Sequence, residues 1–209
     1  AGEILGELKR KKRLTPGDIK RGMLAFLAGI LTKIPMRISE VLALKYGETF
    51  FDAGSGNTRK VAISLPAEMV KNNEPRRALF GPELVRLYDI YITVIRPHLA
   101  PASNPYLFPS GPSAVRNDDH ISHSLASMMH REIGVRMTAH QFRHVVGYIF
   151  LVAKPGCYDT VRRLLGHRSL KTTLRFYAFI LEDEAHELLD ETIDDLAAKR
   201  NLRRRRRAA

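Results

Sequence analysis

The chain has 209 residues, 44% of them apolar, and a single cysteine, Cys157. That is enough apolar material for one sizeable core in one or two domains. It excludes an intrachain disulfide and a Cys-rich zinc site, and no apolar run approaches the roughly 20 residues of a membrane-spanning helix. The formal net charge is +12, unevenly spread: residues 1–181 carry 27 Lys and Arg against 14 Asp and Glu, whereas Glu182 to Asp195 carries eight acids and no base. A body so basic is an electrostatic footprint for a polyanion, and removing the terminal run Arg203 to Arg207, readable as a solvated tail, still leaves +7. With no secretory pattern at its start, the chain reads as cytoplasmic, with no membrane partner.

In chain order, residues 1–14 read as a linker remnant, basic at Lys9-Arg10-Lys11-Lys12-Arg13. Thr15-Pro16 is a cap followed by proline at the first helical position, and predicts a helix to about Thr32. Arg37 to Leu44 predicts a short second helix. Three short strands are expected near 48–52, 60–66 and 75–80, separated by turns at Gly54-Ser55-Gly56-Asn57 and Lys71-Asn72-Asn73-Glu74. Gly81-Pro82 opens a helix to about Arg96, with Leu84, Leu87, Tyr88 and Tyr91 on one face. Residues 97–117 hold five prolines and predict a loop. Helices follow at 121–133, 138–153, 158–165 and 169–179, the third ending on Gly166 as a left-handed cap. Leu181, Ala185, Leu188, Leu189, Ile193 and Leu196 give a final amphipathic helix with an acidic outer face. The fold class expected is α+β, mostly helical, with one small three-stranded antiparallel sheet. The domain reading is linker 1–14, body 15–181, and C-terminal helix with basic tail 182–209.

Two boxes carry unusual chemistry: His140-Gln141-Phe142-Arg143-His144, and Leu165-Gly166-His167-Arg168-Ser169 followed by Thr172-Thr173-Leu174-Arg175-Phe176-Tyr177. Cleaving a phosphodiester without a metal demands groups of this kind. Guanidinium forks suit the nonbridging oxygens because they donate in a plane and stay charged. A phenol, with pKa about 10, needs nearby cations and a proton acceptor to attack at neutral pH. The leaving alkoxide needs a proton.

On these boxes, together with Arg37-Ile38-Ser39-Glu40 before Val41-Leu42-Ala43-Leu44, the chain resembles the tyrosine recombinase (phage integrase) family. The likeness runs over 15–181, the extent of that family's catalytic domain. It implies that Arg37 and Arg143 clamp the scissile phosphate, that His140 assists proton removal from the nucleophile, and that His167 hydrogen-bonds a nonbridging oxygen. His144, beside Arg143, points elsewhere on its helix and reads as a supporting or packing residue. The family's lysine, which protonates the leaving 5′ oxygen from a β-hairpin turn, matches Lys71, in the turn before Arg76-Arg77-Ala78-Leu79-Phe80. Lys60 is the alternative, lying at the separation from Arg37 usual in shorter members. The nucleophile departs from the pattern: nine residues after His167 stands Phe176, and Tyr177 is one later. Tyr177 is taken as the nucleophile.

The resemblance implies a site-specific recombinase or integrase acting on double-stranded DNA through a 3′-phosphotyrosine, as a homo-tetramer on two duplexes. It implies no cofactor, metal or ATP, because the bond energy stays in the phosphotyrosine. The segment 182–197 is expected on a neighbouring subunit, although it could fold back on its own domain. Three alternatives belong beside this reading. A type IB topoisomerase shares the constellation but not the final box. A DNA-binding module without catalysis would explain Phe176. A metal-dependent nuclease lacks paired carboxylates near the histidine boxes.

Overall fold

The computed structural model describes residues 1–111, 114–177, 189–190 and 192–193. Helix α2 (Pro16–Lys33) starts where the cap predicts. The Thr15 hydroxyl accepts from the Asp18 amide at 3.2 Å, and the Asp18 carboxylate accepts from the Thr15 amide at 3.0 Å. Two otherwise orphaned donors are thereby satisfied reciprocally. Every residue from Gly22 to Leu31 is buried, so α2 is the central rod of the core rather than a surface helix.

The segment read as a linker remnant is instead helical. Helix α1 (Gly2–Arg10) buries Leu5 and Leu8 completely. Its apolar pattern is too short to register as a period beside a run of five basic residues, which is why it reads as a linker. Gly22 lets it approach α2: a Cβ there would lie 2.9 Å from Leu8 Cδ1 and 2.6 Å from Ile95 Cδ1. Arg21 of α2 bridges Glu7 of α1 and Glu132, both at 2.8 Å.

Helix α3 (Ile38–Leu42) leads into an antiparallel sheet in the order β1 (Phe50–Ala53), β2 (Lys60–Leu65), β3 (Arg76–Leu79). Phe50 pairs with Ile63, and Leu65 with Arg76. On β2, Val61, Ile63 and Leu65 alternate inward, as a half-covered sheet requires. Helix α4 (Pro82–Ile90) runs on through a π turn at Tyr91–Ile95 and a 3-10 turn at Arg96–His98, where Pro97 is accommodated. The Phe26 ring of α2 stacks on Tyr91 at 4.5 Å and on Phe108 at 5.8 Å.

The proline-rich stretch expected as loop includes a two-residue hairpin, β4 (Pro109–Ser110) with β5 (Ala114–Val115). Helix α5 (Asp118–Ile133) begins three residues before its expected start, because the Asn117 side chain accepts from the His120 amide at 2.9 Å and caps it. Helices α6 (Ala139–Ala153), α7 (Tyr158–Leu165) and α8 (170–177) match their expected places.

The chain divides into two compact units: Ala1–Gly147 with Leu164–Gly166, and Tyr148–Arg163 with the residues from His167 onward. The first contains the core and the sheet. Within the second, Asp159 pairs with Arg162 and Arg163 on α7 at 2.7 and 2.8 Å. The final helix expected from Leu181 to Leu196 lies largely outside the described residues; Leu189 and Ile193 are helical and exposed.

If α1 belongs to the core, Leu8→Ala lowers unfolding free energy by about 2–4 kcal/mol, the usual cost of emptying a packed leucine site, as read by urea denaturation. A loss under about 0.5 kcal/mol, the level of a surface change, would make α1 peripheral.

Candidate active site

Each predicted side chain is set by a local device. Arg37 immediately precedes α3, and Glu40 on that helix accepts from its backbone amide at 3.1 Å and from its Nη1 at 2.7 Å. Arg37 Nη2 donates to the Gly166 carbonyl at 3.1 Å. Glu40 is 4% exposed, and a carboxylate so buried requires charged partners. Arg76 Nε is a second one, at 3.9 Å.

At the start of α6, the Gln141 side chain accepts from the Thr138 amide at 2.8 Å, and the Thr138 hydroxyl accepts from the Gln141 amide at 3.3 Å. The reciprocal cap fixes the first turn, from which His140 and Arg143 project. Phe142, 6% exposed, anchors that turn in the core. Arg143, 4% exposed, donates to the Pro35 carbonyl at 2.5 Å and to the Leu165 carbonyl.

Arg37 and Arg143 are thus brought onto one segment. Leu164, Leu165 and Gly166 each offer a carbonyl to a different guanidinium: Arg76 at 3.2 Å, Arg143, and Arg37. These are carbonyls at and just past the end of α7, where no intrahelical donor remains and the helix dipole is negative. Gly166 makes the turn possible with φ of +59°, a conformation costly for residues with a Cβ. Glu40 and Arg76 are site residues that the sequence reading missed. Glu40 stands inside the quoted box, three residues after Arg37, the spacing of a helix-start carboxylate. For Arg76 the sequence carries no signal.

The two lysines lie at opposite ends of β2. Lys71 is exposed in the turn between β2 and β3. Lys60 is the first residue of β2, opposite Ala53, roughly 17 Å from the other end at about 3.3 Å per residue. Arg76, paired with Leu65, marks the Lys71 end as the one tied to the guanidinium cluster.

His140 is paired with His144. Their Nε2 atoms are 2.9 Å apart and their rings are nearly perpendicular at 81°. His144 therefore lies beside His140, as residues four apart on a helix do. Burial, with the charges of His140 and Arg143 beside it, holds the His144 imidazole below its ordinary range.

In the second unit, His167 Nδ1 lies 3.0 Å from the hydroxyl of the fully buried Thr173. The His167 amide donates to the Arg162 carbonyl at 2.9 Å. On α8, Phe176 is 47% exposed with its ring 6.0 Å from the His167 ring, whereas Tyr177 is 2% exposed. Among the described residues, no three or more His, Cys, Asp or Glu side chains cluster as a metal site, and no helix is long and apolar enough to cross a membrane.

A model of the phage integrase family matches residues 16–186. The chain belongs to the phage integrase family. Its fold is shared with solved tyrosine recombinases. The XerH site-specific recombinase bound to palindromic difH substrate in a post-cleavage complex is 22% identical at a TM-score of 0.61, over 88% of this chain and 50% of that one. XerA recombinase is 20% identical at 0.56, over 78% and 57%. The Tn1549 transposon integrase in complex with transposon right end DNA is 14% identical at 0.53, over 91% and 63%. The chain thus spans about half the length of the Xer recombinases it resembles. No curated protein matches. For this integrase-family chain, the mostly helical fold with its three-stranded sheet agrees with the expected class.

The depressed His144 fixes the sign of a pH effect. The folded state binds fewer protons here than the unfolded state, so its stability is present above the ordinary histidine pKa of about 6.5 and is lost as pH falls below it. His144→Gln should therefore lose less stability than the unchanged protein between about pH 7.5 and pH 5, read as urea midpoints. A larger loss in the variant contradicts this.

Proposed function

We propose that this integrase-family chain is the catalytic part of a site-specific DNA recombinase that cuts and rejoins double-stranded DNA. The observation that carries the reading is the convergence of Arg37 and Arg143 on Leu165–Gly166, at the turn that leads directly into His167. A guanidinium has five donors, and Arg37 commits two to Glu40 and Gly166 while remaining a quarter exposed. It can engage a phosphate oxygen without releasing its anchors. Donors held in advance where charge develops contribute most to such a reaction.

In the proposed cleavage step, the Tyr177 oxygen attacks phosphorus and the bond from phosphorus to the 5′ oxygen breaks. The phenolic proton passes to His140, and Lys71 delivers a proton to the leaving oxygen. The products are a 3′-phosphotyrosyl link and a 5′-hydroxyl; reversal by a second 5′-hydroxyl rejoins strands, so no net hydrolysis occurs and no ATP is required. Arg37, Arg143 and His167 neutralise the nonbridging oxygens; with Nδ1 engaged by Thr173, His167 would donate from Nε2. The His144 pairing supports His140 as proton acceptor, because a neutral neighbour can take or hold the shared hydrogen. Assembly as a tetramer on two duplexes, linked by 182–197, belongs to the same proposal.

A second reading, a DNA-binding module without catalysis, is favoured by one observation: Phe176 adjoins His167 and is 47% exposed, whereas Tyr177 is 2% exposed.

A nicked suicide duplex separates the two readings. Tyr177→Phe should abolish the covalent adduct while leaving DNA affinity nearly intact, because only the phenolic oxygen is lost. An adduct in that variant removes Tyr177 from the site. Arg37→Ala and Arg143→Ala should each slow adduct formation by about 10²–10³-fold, and near-normal rates would exclude the residue concerned. Lys71→Ala should be slow on oxygen-linked DNA and restored by a 5′-bridging sulfur, which leaves without a proton. Rescue of Lys60→Ala instead would move the acid to the other end of β2. Truncation after Ile180 should weaken synaptic assembly on DNA; assembly at the same concentration dependence would mean that 182–197 is not the link.

A further inference from the structure

Arg76 has no part in the steps above, yet it is the most enclosed cation of the hairpin. Its side chain is 11% exposed. Nη1 donates to the Leu164 carbonyl at 3.2 Å and to the Pro35 carbonyl at 3.5 Å, and Nε faces Glu40 at 3.9 Å. From the other side, a Cβ on Gly166 would lie 2.1 Å from Arg76 Nη2 and 3.7 Å from Asn72 Nδ2. Burial pulls the guanidinium below its ordinary value while Glu40 opposes that shift; an arginine remains charged throughout.

A buried charge held this way is not a ligand-binding group, because its donors face the protein. Its place in the chain suggests what it does. Arg76 opens β3 opposite Leu65, at the end of the hairpin whose turn carries Lys71. Pro35 is shared with Arg143, and Glu40 with Arg37. One planar fork therefore joins the base of the lysine hairpin to the supports of both phosphate-clamping arginines. Lysine could not reach two carbonyls and a carboxylate from one point charge.

We propose that Arg76 is a positioning residue that locks the Lys71 hairpin onto Pro35 and Leu164–Gly166, and so sets where the general acid reaches the leaving oxygen. This rests on the recombinase reading. Misplacing a catalytic group by about an ångström costs up to about 100-fold in rate, and here the loss should fall on proton delivery.

The test measures single-turnover adduct formation by the full chain on suicide duplexes with oxygen or sulfur at the 5′ bridging position. Arg76→Ala should slow the oxygen substrate by about 10–100-fold and raise the sulfur-to-oxygen rate ratio toward that of Lys71→Ala. A merely structural role would slow both substrates equally and leave the ratio unchanged, which overturns the inference, as does an unchanged rate on oxygen. Should Arg76→Ala be unfolded at the assay temperature by circular dichroism, Arg76→Lys decides: it keeps the charge and loses the fork, so the ratio should again rise, and an unchanged ratio overturns the inference. Failure of the underlying reading is distinct. No adduct with the unchanged protein, or no sulfur rescue of Lys71→Ala, removes the recombinase chemistry and the inference with it. Rescue of Lys71→Ala without rescue of the Arg76 variants removes the inference alone.

Discussion

The arrangement of the first unit depends on how three backbone carbonyls are satisfied. Leu164, Leu165 and Gly166 leave α7 with acceptors that no intrahelical amide can reach, and each is taken by a separate guanidinium. Three cations so close repel one another, and their charge is tolerable only because Glu40 sits buried between two of them and the carbonyl dipoles point inward. The positive φ of Gly166 and its missing Cβ allow the approach. The same contacts that satisfy the turn hold Arg37 and Arg143 in fixed orientations before any anion arrives. For the proposed reaction, donors fixed in this way leave little reorganisation to be made. The proposed chemistry thus grows from an ordinary problem of helix ends.

Much of this was readable from residues whose effect is local. The Thr15 cap, the left-handed Gly166 and the proline at the start of α2 act over a few residues, so their consequences follow from spacing alone. The boxes holding Arg37, His140 and Arg143 were legible as a resemblance to a family. What escaped was long-range or too short to have a period. Helix α1 has only two buried leucines, just before a basic run. Arg76 derives its importance from Pro35 and Leu164, 41 and 88 residues away. Glu40 stood in plain view beside Arg37, but its second partner comes from the sheet. The His144 contact was legible through its spacing of four from His140.

The departure at Phe176 and Tyr177 keeps its weight in three dimensions. On α8, adjacent residues face different directions, and Phe176 is the exposed one beside His167 while Tyr177 is buried. Burial removes a phenol from solvent and from an incoming phosphate alike. Under the proposed function, attack by Tyr177 requires that its buried ring first be uncovered.

The central claim is that this chain forms a covalent bond to DNA through one named oxygen. Trypsin cutting after Arg175 and Lys199 releases residues 176–199, a peptide whose sole tyrosine is Tyr177. Mass spectrometry of the adduct trapped on a suicide duplex measures the claim directly. The account predicts that peptide carrying a nucleotide 3′-phosphate on Tyr177. A trapped adduct on any other residue, or none under conditions where the DNA is fully bound, contradicts it.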